Sequence, residues 1–224
     1  MCPAVTEPAF LTTVRAGYDT LAEDYAALFH DELAGKPLAR AMISAFAELV
    51  RGTGGPVADV GCGPGDGTAY LHSLGLDVRG IDLSPGMVAV ARRNHPHLRF
   101  DEGTMTALDL PDGALGGLVA WYSLIHVPPE QVPAVLAEFH RVLAPGGHLL
   151  LAFQVGDEPP LHLSEALGHR IDLDFHRWTT DRIADLLRQA GFAVTARLER
   201  ESDGTERTPQ AHVLARRPTE STAD

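Results

Sequence analysis

The feature that most constrains this chain is a short apolar run, Val57-Ala58-Asp59-Val60, that passes directly into Gly61-Cys62-Gly63-Pro64-Gly65. A four-residue buried strand, a glycine-rich turn and a helix beginning near Gly67 form a unit that returns to a parallel sheet through its helix. The pattern then repeats. Val78–Ile81 reads as a second strand, followed by a helix over Pro85–Asn94 with Ser84 as N-cap and Pro85 at its first position. Further strands are expected over Leu98–Asp101, Leu118–Tyr122 and His148–Phe153. A helix over Pro129–Leu143 is stopped by Ala144-Pro145-Gly146-Gly147. Strands that are apolar on both faces and alternate with helices indicate a doubly wound, mostly parallel α/β sheet.

On either side of this rhythm the chain changes character. From Thr12 to about Arg51 the apolar spacing is helical, with Leu21, Tyr25, Leu28 and Phe29 on one face and Leu38, Met42, Phe46 and Leu49 on another. Gly35-Lys36-Pro37 divides it into two helices, because proline fits only a helix start. Residues 1–51 are therefore expected to form an N-terminal helical cap, with residues 1–11 a loose start. The core is expected over residues 52–217. Within it, residues 154–178 break the rhythm and read as an inserted lid over the acceptor. A helix over Thr180–Ala190, ended by Gly191, leads to a closing strand pair, Phe192–Glu199 and His212–Arg216. The polar stretch 218–224 is expected to be a disordered tail.

Charge and cysteine usage exclude several classes. Eighteen basic residues against thirty acidic ones leave a formal net charge of −12. A chain this acidic, without a basic stripe, is unsuited to tracking a phosphate backbone, so nucleic acid is not an expected partner. No apolar run is long enough to span a membrane. The two cysteines, Cys2 and Cys62, form no disulfide framework, which points to a reducing, cytoplasmic setting. His162, His169 and His176 lack a metal-ligand pattern, and no metal is expected. Homodimer formation stays open.

The glycine loop carries the chemistry. Glycines let the backbone turn after the strand and let a ligand lie directly against it, with the following helix aiming its first amides at the same place. A dinucleotide fingerprint needs glycines at the first, third and sixth positions. Counted from Gly61 the sixth position is Asp66, and counted from Gly63 it is Thr68, so neither register fits. Asp59 would repel a pyrophosphate and suits an ammonium and a sulfonium. At the end of the second strand, Asp82 is placed to accept hydrogen bonds from ribose hydroxyls. These features favour an adenosyl amino acid over a dinucleotide.

In combination, these segments resemble class I S-adenosylmethionine-dependent methyltransferases of the small-molecule type, over about residues 14 to 216. Asp59–Gly65 is similar to that family's first motif and Gly80-Ile81-Asp82-Leu83-Ser84 to its second. Gly103-Thr104-Met105, before Leu108-Asp109-Leu110-Pro111, resembles the loop that meets the adenine. Leu143–Gly147 and Gln189-Ala190-Gly191-Phe192 are similar to the turns before the late strands. The resemblance implies a Rossmann-like sheet of seven strands, one antiparallel, and S-adenosylmethionine as cosubstrate. It implies cofactor contacts from Tyr18, Asp59, Gly61, Cys62, Gly63, Gly65, Asp82, Leu83, Met87, Thr104, Met105 and Trp121. Tyr18 would meet the cofactor's carboxylate, and Tyr25 would line the acceptor pocket or serve the core. His126 is the candidate base for an oxygen or nitrogen acceptor, or else a brace for the loop before Pro128-Pro129. Gly116-Gly117 departs from the family's aromatic–aspartate pair and reads as a loss of local support. Two other functions stay in view: an S-adenosylmethionine-binding protein without transferase activity, and a nucleotide-dependent oxidoreductase.

Overall fold

The alternation read from the sequence becomes one twisted sheet with helices on both faces. The computed structural model describes residues 7–204 and 206–219. Among these, β1 (Val57–Val60), β2 (Val78–Asp82), β3 (Arg99–Glu102), β4 (Leu115–Trp121), β5 (Leu143–Gln154), β8 (Ala193–Arg200) and β9 (Gln210–Arg216) form a seven-stranded sheet of order β3-β2-β1-β4-β5-β9-β8. β1 to β5 pair in parallel, and β9 runs antiparallel to both its neighbours. The expected doubly wound sheet with one reversed strand is what forms.

Alternate residues on each strand serve opposite faces. Ala58, Val60, Leu118, Ala120, Leu149 and Leu151 pack with α5 (Val132–Val142) and α6 (Thr180–Gln189). Val57, Val119, Leu150 and Leu214 pack on the other face against Ile43, Phe46, Ala47 and Val50 of α2 (Pro37–Thr53) and Leu71 of α3 (Asp66–Ser73). This corrects the reading of residues 1–51 as a cap. α2 is a layer of the core, whereas α1 (Ala9–Phe29) lines a cleft at the sheet's carboxyl edge. The helix also begins at Ala9, inside the stretch expected to be loose. Phe10, Val14 and Tyr18 recur at a four-residue spacing and extend its inner face. The expected tail falls outside the described residues from 220 onward, as does Cys2.

Gly116-Gly117 turns out to support the packing that its sequence reading took it to weaken. A Cβ at Gly116 would stand 1.9 Å from the Gly54 carbonyl oxygen, and one at Gly117 would stand 2.7 Å from Val50 Cγ2. The bare backbone lets the end of α2 approach β4 where a side chain would not fit.

The stretch 154–178 contains a hairpin, β6 (Leu161–Ala166) and β7 (His169–Phe175). It docks on α1. Leu173 lies so close to Gly17 that a Cβ there would come within 2.8 Å of its Cδ2, and His169 Nε2 meets Asp24 Oδ2 at 2.7 Å. On its other side α1 is tied to α4 (Pro85–Asn94). Asp19 Oδ1 accepts from Ser84 Oγ at 2.5 Å and from the Gly86 amide at 2.8 Å, while Glu23 pairs with Arg93 at 2.7 Å.

Candidate active site

At the carboxyl ends of β1, β2 and β4, two clefts meet along the glycine loop. The first lies under α1. Its empty space, with the open mouth included, is about 710 Å³. Asp82, Leu83, Met87, Thr104 and Met105 line it together with Tyr18 and Tyr25 of α1 and His126 after β4. The second cleft lies beside Asp59, Cys62 and the 29–34 segment. Gly61, Gly63, Tyr25 and Trp121 border both. Every residue expected to serve the site therefore lines a cleft, except Gly65. Gly65 caps α3 with φ +92°, and its Cα packs against Phe100, where a Cβ would come within 2.8 Å of the ring. Its role is to shape the turn.

The loop's geometry follows from local forces. Gly61 has φ +76°, and a Cβ there would collide with Ser123 at 2.2 Å, so the exits of β1 and β4 can touch only at a glycine. Gly63 has φ +54°, and a Cβ there would meet nothing within 4 Å. Open space beside bare backbone is what a ligand lying on the loop requires. The Gly63 amide donates to Asp82 Oδ2 at 2.8 Å and the Ser84 amide donates to Asp82 Oδ1 at 2.9 Å. These bonds aim the carboxylate and bind β1's loop to β2's end.

Asp59 is 2% exposed. Its Oδ2 accepts from Thr68 Oγ1 at 2.7 Å, whereas Oδ1 has no partner among the described residues. Burial pushes the Asp59 carboxyl up to about 7, the Thr68 hydrogen bond opposing it. Asp59 thus keeps a buried, unpaired acceptor beside the second cleft.

His126 occupies a different position from the one expected of a base. Nδ1 lies 3.0 Å from the Asp174 carbonyl, and Nε2 lies 2.6 Å from the Tyr18 hydroxyl. Both ring nitrogens are engaged. Burial depresses its pKa to about 4, with the Asp174 contact opposing, so the ring is neutral near pH 7. The imidazole thus braces α1 and the hairpin against the turn after β4. Tyr18 in turn spends its hydroxyl on His126, where a contact with the cofactor's carboxylate was expected. The lid expectation needs a similar correction. No residue of 154–178 lines either cleft; the hairpin backs α1 and His126.

The sequence reading also missed residues. Phe10, Leu11 and Val14 of α1 line the first cleft, and their helical spacing was the available signal. Tyr122 lines it with φ +52°, a conformation that costs a non-glycine residue free energy and that no local sequence signal announces.

The profile of the methyltransferase-domain family matches residues 57–147, from β1 to the turn inside β5. An uncharacterized methyltransferase of Synechocystis sp. is 31% identical over 146 residues, which is 63% of this chain and 68% of that protein. The chain belongs to the methyltransferase family. An O-methyltransferase of Penicillium expansum is 34% identical over 62% of this chain and 52% of its own length. The chain spans about half the length of that relative, and other curated relatives are matched over 37–62% of theirs. Among solved structures, the 1,6-didemethyltoxoflavin-N1-methyltransferase of Burkholderia thailandensis superposes with a TM-score of 0.71 at 25% identity, covering 93% of this chain and 89% of that one. That structure holds 1,6-didemethyltoxoflavin and S-adenosylhomocysteine.

Proposed function

We propose that this methyltransferase uses S-adenosylmethionine to methylate an oxygen or nitrogen of a small-molecule acceptor, in a reducing, cytoplasmic setting. The observation that carries the reading is the pair of carboxylates flanking an open glycine backbone. Asp82 is aimed by two amides, Asp59 keeps one oxygen unpaired, and Gly63 between them faces empty space. One acceptor group on each of two neighbouring strand ends suits a ribose diol and an ammonium. Leu83, Met87 and Met105 would supply an apolar seat for adenine. When bound, S-adenosylmethionine supplies a methyl group activated by its sulfonium. The chain's contribution is then placement and exclusion of water, which can supply most of the acceleration of an in-line displacement. Tyr25 and Trp121, at the junction of the two clefts, are positioned to hold the acceptor. Small-molecule acceptors also occur among the relatives, in the Burkholderia enzyme and in demethylmenaquinone methyltransferases.

The reading is tested by calorimetric titration with S-adenosylmethionine, S-adenosylhomocysteine, NAD and NADP. Binding of the adenosyl ligands alone is expected. Asp82→Ala should weaken it by about 1–3 kcal/mol through the loss of charged hydrogen bonds. Binding of a nicotinamide cofactor, or indifference to Asp82→Ala, would refute the assignment. Formation of S-adenosylhomocysteine with a library of hydroxylated and amino acceptors would then separate a transferase from a protein that only binds the cofactor.

A further inference from the structure

The contact between Tyr18 and His126 has a direction that can be derived. A carbonyl oxygen only accepts, so the Asp174 carbonyl requires a proton on His126 Nδ1. A neutral ring with its proton on Nδ1 has a lone pair on Nε2. The Tyr18 hydroxyl at 2.6 Å must therefore donate to it. Tyr18 has one proton, and burial raises its pKa well above the ordinary range, which keeps the phenol neutral. Its oxygen can consequently offer only lone pairs to the first cleft. Ser123 repeats the arrangement: its Oγ donates to the Val60 carbonyl at 2.7 Å while its residue lines the same cleft. The Asp82 carboxylate adds further acceptors. Tyr18, Ser123 and Asp82 thus each bring oxygen acceptors to this cleft, with their protons directed away or absent.

We propose that His126 is a positioning residue that makes Tyr18 a hydrogen-bond acceptor, so that the first cleft prefers a sulfonium ligand over the matching neutral thioether. The inference rests on the cofactor reading above and adds to it a selection between substrate and product. A positive charge and the polarised C–H groups beside it gain from facing oxygen lone pairs, and a neutral thioether does not. Once the methyl group has left, that attraction is lost, and release of the spent cofactor is favoured. The sequence reading left His126 as a base or a brace; the geometry adds the task of orienting a neighbour.

The test is the ratio of dissociation constants for S-adenosylhomocysteine and S-adenosylmethionine, measured calorimetrically on the full chain. Tyr18→Phe keeps the ring that packs edge-on against Tyr25 and removes only the oxygen. It should lower the preference for the sulfonium about two- to fivefold. His126→Phe should lower it similarly, because the Tyr18 proton is freed to turn into the cleft. His126→Gln, whose amide oxygen can take that proton, should keep most of the preference. An unchanged ratio in Tyr18→Phe, including equal weakening of both ligands, overturns the proposal. A fall in Tyr18→Phe with no change in His126→Phe overturns the part assigned to His126. If the unsubstituted protein binds neither ligand, the cofactor reading itself has failed, an outcome distinct from all of these. Should His126→Phe not fold, Tyr18→Phe and His126→Gln carry the decision.

Discussion

α1 and α2 come from one helical stretch divided at Gly35-Lys36-Pro37, yet they are held in opposite ways. α2 buries Ile43, Phe46, Ala47 and Val50 on the sheet, so its inner face is apolar and its polar ties, such as Arg51 to the Leu74 carbonyl, lie at its margins. α1 buries mainly small residues, among them Gly17, Ala22 and Ala26, and is tied down by polar contacts at both flanks. The difference separates what makes the fold from what covers the site. A helix sealed into a core moves only when the domain unfolds, whereas one held by surface ion pairs and a few hydrogen bonds can open locally.

The comparison can be broken most forcefully at Phe46, which is fully buried. Phe46→Ala should cost about 3–5 kcal/mol of global stability in a denaturant titration. A loss below 1 kcal/mol would mean that α2 is not the core layer described here.

A second probe uses the two buried imidazoles, one in each region. His126 serves the α1 side and His212 lies in β9; burial depresses each to about 4. Their ordinary pKa is near 6.5, so between pH 6.5 and 4 the unfolded chain binds protons that the folded chain does not. Stability from each is present above pH 6.5 and lost as pH falls towards 4, on the order of 3 kcal/mol per imidazole. His126→Gln and His212→Phe should each flatten this decline in pH-dependent unfolding. Unaltered slopes would show that neither ring is held neutral.

The smallest effect is expected at Asp19, whose carboxylate joins α1 to the start of α4. Asp19→Ala should cost about 1 kcal/mol. That loss should appear in hydrogen exchange as faster opening of α1, while protection of α2 is unchanged. Equal loss of protection in both helices would erase the distinction between them.

Much of the framework was legible locally. β1, α4 and the break before α2 coincide with their sequence signals, because a short apolar run, a Ser-Pro helix start and a Gly-Lys-Pro sequence act through nearest neighbours. Asp59, Gly61, Gly63 and Asp82 come together at the clefts as their spacing suggested, since that spacing reflects the turn they make. What could not be read depended on distant partners. Leu143 opens β5 although it was expected to end α5, the pairing of Leu143 with Leu115 across the sheet overriding the helical pattern. Gly116-Gly117 looked like a defect until Gly54 was seen against it.

Alone, then, the sequence determined the α/β alternation, the mostly parallel sheet, and the glycine loop that follows its first strand. These follow from periodicity and turn chemistry, which operate over a few residues. Only the tertiary structure decided that α2 belongs to the core, that the hairpin backs α1 without lining a cleft, and that His126 meets the Tyr18 hydroxyl. Each of those depends on residues far apart in the chain. Tyr18 and Asp174 are brought to opposite nitrogens of one ring by the packing of three separate elements, and no local pattern encodes that meeting.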